Sequence, residues 1–251
     1  RNFAELKKVY DPDLYGNNNY DVNNFLNDAN KMGSKMGFNT ADTVDAIYQA
    51  MNYGFGNRTV AEDIAKASML LSNSGQIAEK EASTDIISIL KAFKYDNPDA
   101  MVNLDGKEET AIQSVVDQLS FGGMNFPITS GGIGEALQRG GSALANQGNS
   151  LEQAIQLIIA GNMSRQDPAT VGNSMKSIAG SFTDILLGDT KSDILNNKNL
   201  HEILPNFQWF NSDGQLKSTY EIMTGIAQLY KEGKISPNNL QWLASIIGGK
   251  T

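Results

Sequence analysis

The chain has 251 residues, of which 40% are hydrophobic and 8% aromatic, and its formal net charge is −8. That length and balance suit a globular chain of one large domain or two small ones, with enough residues to bury a real core. The acidic surplus gives nucleic-acid phosphates no attraction, so direct nucleic-acid binding is not expected, and the absence of cysteine excludes disulfides and thiolate metal sites. No run approaches the 18 or more apolar residues of a membrane span, and no signal peptide is visible.

Taken in order, residues 2–10 predict a short helix with Phe3, Leu6 and Tyr10 on one face, and 11–20 an asparagine-rich turn region. A helix from Asp21 to Met36 follows, using Val22, Phe25, Leu26, Ala29 and Met32. Asn39 or Thr40 caps the next, with Val44, Ile47, Tyr48 and Met51 facing inward, and Tyr53-Gly-Phe-Gly56 turns the chain. Thr59-Val-Ala-Glu62 reads as a capping box for a helix carrying Ile64, Ala67, Ser68 and Leu71, stopped by Gly75. Ala82, Ile86 and Leu90 mark its partner helix. Residues 98–106 read as an insertion with a brief extended piece at Met101–Leu104, and a helix is expected over Lys107–Phe121 through Ile112, Val115, Val116 and Leu119.

The stretch Gly131–Phe182 is the most fully punctuated. Ile133, Leu137, Gly140, Gly141 and Leu144 recur at helical spacing, and Gly148 ends that helix as a left-handed cap. Ser150 with Gln153 forms a capping box for Leu151, Ile155, Ile158 and Ile159. Asp167-Pro168 opens a third helix lined by Val171, Met175, Ile178 and Phe182. Thr59–Phe93 is a divergent copy of its first two helices, with Ile64, Ala67, Ser68 and Leu71 answering Leu137, Gly140, Gly141 and Leu144. Two consecutive glycines inside a helix cost roughly 1 kcal/mol each relative to alanine, so Gly140-Gly141 predicts a helix crossing at close range. Beyond Gly188 the pattern weakens. Ile194–Leu204 is helix-like up to Pro205, and Gln208-Trp209-Phe210 is the best strand candidate, turning at Asn211–Gly214. Ser218 and Glu221 form another capping box for Ile222, Ile226, Leu229 and Tyr230, and Ser236-Pro237 starts a last helix with Leu240, Leu243 and Ile247.

The arrangement resembles the tail tape measure proteins of long-tailed bacteriophages and prophages. The resemblance rests on Ala41-Asp-Thr-Val-Asp-Ala-Ile-Tyr-Gln-Ala50, on Ala136-Leu-Gln-Arg-Gly-Gly-Ser-Ala-Leu-Ala-Asn-Gln-Gly-Asn-Ser-Leu-Glu152, and on Asp167-Pro-Ala-Thr-Val-Gly-Asn-Ser-Met-Lys-Ser-Ile178. Asn211-Ser-Asp-Gly-Gln-Leu-Lys-Ser-Thr-Tyr-Glu-Ile-Met223 and Gly248-Gly-Lys-Thr251 extend it, so that it covers roughly residues 38–251. Asp96–Glu109 departs from it by being longer and more polar. The resemblance implies a structural role as scaffold and length ruler in tail assembly, in the virion tail after assembly in the bacterial host cytoplasm. It also implies tail tube subunits, tail assembly chaperones and tail tip proteins as partners, with self-association possible. Tape measure proteins are far longer, and the chain opens at Arg1 without an initiator methionine, so a piece of a longer protein is expected.

Chemistry is sparse. His201, beside Glu202, is the sole histidine and reads as a surface residue. Asp11 with Asp13, and Asp96 with Asp99, lack a full calcium loop and read as turns. Gly131-Gly-Ile-Gly134 opens a helix, but without the strand and later glycine of a dinucleotide fingerprint it reads as a flexible helix entry. Met32, Met36 and Met51 are core fillers. Trp209, Phe210, Tyr230 and Trp242 are either the core of a small helical subdomain or an association surface. No catalytic, cofactor-binding or metal residues are assigned. The expectation is an all-α, non-enzymatic protein of helix hairpins with an internal pseudo-repeat and at most one short β element near residues 208–216. Its segments are 1–37, 38–188 and 189–251. Two alternatives stay open: a domain associated with cell-wall hydrolysis, which needs a cleft with an isolated carboxyl of raised pKa, and a free-standing helical adaptor.

Overall fold

The computed structural model describes residues 22–95, 97–98, 101–104, 107–186 and 202–247. Sequence readings made on 2–20, on 194–201 and on 248–251 lie outside them. The protein is all-α, with ten helices and one small hairpin among the described residues. It divides into two compact units, Arg1–Glu135 and Ala136–Thr251.

The first unit is built on α1 (Val22–Met36), α2 (Thr40–Asn52), α3 (Arg58–Gly75), α4 (Glu79–Ala92), β1 (Met101–Leu104), β2 (Lys107–Thr110) and α5 (Ala111–Asn125). Helix α3 is its axis, with α1, α2, α4 and α5 all packed on it. Ile64, Met69 and Leu71 on α3 are wholly buried, with Ile47 from α2, Ile86 and Leu90 from α4 and Leu119 from α5. Each such side chain contributes at most about 1.5–3 kcal/mol by leaving water. The small polar residues inside this helix stay satisfied: the Ser68 hydroxyl donates to the Ile64 carbonyl at 2.8 Å, and that of Ser72 to the Ile77 carbonyl at 2.6 Å.

Three local readings change here. The cap of α3 is Asn57, whose side-chain oxygen accepts from the Thr59 and Val60 amides, and not Thr59. Glu62, expected to reach back to the helix start, instead accepts from the Arg58 guanidinium at 2.5 Å, one turn away on the same face. Gly75 does not supply the left-handed stop. It is the last helical residue, and Gln76 takes the left-handed conformation at φ 52°. What Gly75 provides is room, because a Cβ there would stand 3.1 Å from that of Ser130. Finally, Lys107–Thr110 is a strand and not the first turn of a helix, pairing antiparallel with Met101–Leu104, so β structure is not confined to 208–216. Thr110 ends the strand and caps α5 by accepting from the Gln113 amide at 3.2 Å, and α5 continues past Phe121 to Asn125.

Helix α6 (Ser130–Asn146) begins in the first unit and runs into the second. There follow α7 (Leu151–Arg165), α8 (Pro168–Leu186), α9 (Thr219–Lys231) and α10 (Pro237–Ile247). Their punctuation is as the sequence predicts. Gly148 stands at φ 85°, and the Ser150–Gln153 and Ser218–Glu221 boxes both close reciprocally. Asp167 accepts from the Thr170 amide and hydroxyl, at 3.1 and 2.6 Å. A β-bridge joins Phe210 to Leu216, inside the stretch where a β element was expected. Phe182, Leu204, Trp209, Ile222, Leu243 and Ile247 share one core, and Trp242 packs against it. The aromatic group therefore divides: Trp209 and Trp242 belong to the core, while Phe210 and Tyr230 are exposed.

The close crossing predicted at Gly140 is present, between α6 and α8. A Cβ on Gly140 would lie 2.6 Å from the Gly172 carbonyl oxygen, and one on Gly172 would lie 2.5 Å from that of Ala136. Backbone meets backbone there, which no residue larger than glycine permits without separating the helices.

Candidate functional site

His201, Asp11, Asp13, Asp96 and Asp99 lie outside the described residues. Gly131–Gly134 is inside α6, and its surroundings rule out an anion cradle. A Cβ on Gly131 would lie 2.8 Å from the Ile77 side chain and 3.2 Å from Glu81 Oε1, and one on Gly134 would overlap the buried Asp85 carboxylate. Thr129 already accepts from the Gly132 amide at 3.0 Å. Carboxylates at the helix start repel the ligand class that a free N-terminus attracts, and these glycines serve tight packing and not a flexible entry.

One carboxyl is perturbed in a way the sequence did not announce. Glu79, at the start of α4, is pushed up to about 7 by burial first and then by the charges of Asp45 and Asp42 on α2. Its Oε1 is buried with no hydrogen-bond partner. A raised carboxyl is one requirement for acid catalysis at neutral pH, but here the neighbours are two further carboxylates on a packed helix junction. Among the described residues no three metal-ligating side chains converge well enough to hold an ion.

A concavity lies in the second unit, with a volume of about 550 Å³. Ile203, Leu204, Phe207, Leu229 and Ile235 form its apolar walls, and Lys217 and Lys234 stand beside them. The N-terminus of α9 next to it is held by the turn after α6. Gln147 Nε2 donates to the Lys217 carbonyl at 3.0 Å, the Thr219 hydroxyl donates to Gln147 Oε1 at 2.6 Å, and the Tyr220 amide donates to Asn149 Oδ1 at 2.8 Å. Asn149 in turn donates to the Leu144 carbonyl at 2.8 Å. The sequence placed Gln147 and Asn149 only as part of a resembling motif. Pairing partners some seventy residues apart leave no periodic trace.

These features describe a packed helical protein. Residues 26–248 match the family of phage-related minor tail proteins. The match spans most of the chain, and the chain belongs to that family: it is a component of a phage tail. Neither a curated protein nor a solved structure matches it. No helix among the described residues is long and apolar enough to cross a membrane.

Proposed function

We propose that this chain is part of a tail tape measure protein, acting as scaffold and length ruler during tail assembly. The family match over residues 26–248 carries the reading, because it runs through the Ala136–Glu152, Asp167–Ile178 and Asn211–Met223 stretches on which the tape measure resemblance rests. In this reading the partners are tail tube subunits, tail assembly chaperones and tail tip proteins, met in the host cytoplasm before the protein enters the virion tail. The role is structural and not enzymatic. In-frame deletions in the gene of the phage or prophage that encodes it test the ruler directly. Tail length measured by electron microscopy should fall by about 1.5 Å per residue removed if the deleted segment is helical in the tail. Tails of unchanged length would overturn the reading. A peptidoglycan zymogram with the purified chain should show no clearing, and lysis abolished by Glu79→Gln would restore the hydrolase alternative.

A further inference from the structure

A cleft of the second unit combines apolar walls with Lys217 and Lys234 in its lining. We propose that it docks a peptide segment of a partner protein, an apolar side chain entering between Phe207 and Leu229 and a carboxylate meeting Lys217.

The argument begins with shape. A volume of about 550 Å³ falls within the roughly 300–1,000 Å³ of sites that bury small ligands and side chains. Five apolar residues wall it, so filling it removes hydrocarbon from water on both partners.

Charge narrows the occupant. Of the two lysines, Lys234 pairs at the surface with Glu232, its ammonium 2.7 Å from the carboxylate. That pairing, together with Gln228, holds Glu232 below the usual carboxylate range. Lys217 has no carboxylate within ion-pair distance among the described residues. Lys217 beside apolar walls suits one carboxylate flanked by hydrocarbon. A polyanion would find too few cations, and the chain's net charge of −8 would repel it at longer range.

The cleft is also held in shape before anything binds. The Lys217 amide donates to the Trp209 carbonyl at 2.9 Å, and its carbonyl is held by Gln147. The Phe207 ring packs edge-on against Trp209 at 4.8 Å between centroids, and it lies over Gly225, where a Cβ would stand 2.9 Å from the ring. A wall fixed in advance lowers the ordering cost of association.

The test uses the full chain. A capped peptide, acetyl-Ala-Leu-Glu-Phe-Leu-Ala-amide, and its counterpart with lysine in place of glutamate are titrated by calorimetry, with tryptophan fluorescence as a second signal through Trp209. The glutamate peptide should bind at least tenfold more tightly than the lysine peptide. Lys217→Glu should reverse that preference without unfolding the protein, since the fold uses the backbone of Lys217. Asn206→Trp, at an exposed residue of the cleft lining, should abolish binding of both. Equal affinity for the two peptides, no saturable binding of either, or binding that survives both substitutions would overturn the proposal. So would sedimentation showing a dimer of the unliganded chain that Lys217→Glu dissociates, because the occupant would then be a second copy.

Discussion

The two units bury polar groups of different kinds. In the first, Asp85 and Glu109 are buried and Glu79 is half-buried beside Asp42 and Asp45. In the second, the largest buried polar side chains are the neutral amides Gln147, Asn149 and Asn162. A buried amide costs little once its donors and acceptors are matched, as those of Gln147 and Asn149 are, and it is indifferent to pH. A buried carboxyl is costly when ionised and cheap when protonated, so it links stability to proton concentration. In the first unit Glu79 ties stability to pH, and in the second the matched amides tie it to geometry.

The geometric half breaks most readily at the α6–α8 crossing. Gly140→Leu must force apart two backbones in contact and should cost about 3 kcal/mol, the upper end for overpacking. A differential scanning experiment should show the melting temperature lower by several degrees, and an unchanged value would mean that the helices do not touch.

Next in size is the clasp on α9. Asn149→Ala leaves the Tyr220 amide without its partner, while the Leu144 carbonyl keeps the backbone amide of residue 149 at 3.1 Å, and the change should cost about 1–3 kcal/mol. Hydrogen exchange should accelerate at the start of α9. Equal protection in mutant and wild type would show that water replaces the amide at no cost.

The carboxyl half is tested by pH. Glu79 has a folded-state value of about 7 against an ordinary 4.5. Its proton therefore binds the folded state more tightly, and the stabilisation is fully present below about 4.5 and lost as pH rises through about 7. The shift alone would correspond to about 3 kcal/mol. With the side chain only partly buried, solvent screening reduces that to about 1–2 kcal/mol. Glu79→Gln should raise the melting temperature at pH 8 and leave it nearly unchanged at pH 4. A mutant with the same pH profile as wild type would remove Glu79 from the comparison.

The smallest effect separates two caps of α3. Asn57→Ala should cost about 1 kcal/mol, and Thr59→Ala less than about 0.5 kcal/mol. Chemical denaturation of both variants decides it, and the reverse order would restore Thr59 as the cap.

Legibility follows the same division. Around Ser150, Asp167 and Ser218 the cap and its partner sit three residues apart, and the sequence reads correctly because the interaction is local. Around Thr59 an equally good pattern misleads, since Asn57 stands two residues earlier and Arg58 takes Glu62 for itself. The extended piece expected at Met101–Leu104 is β1, but its partner Lys107–Thr110 escaped, because strand pairing is decided by another segment and Lys-Glu-Glu-Thr has no apolar alternation to announce it.

The sequence by itself determined the all-α class, the helix order from α1 to α10, most of their caps and the close approach at Gly140. Those features depend on residues within a few turns of one another or on the cost of glycine in a helix. Tertiary structure alone decided that Gly75 stands close against Ser130, that Glu79 meets the carboxylates of α2, and that Gln147 and Asn149 hold α9. Each depends on which distant segment folds against which, and helical periodicity carries no record of that choice.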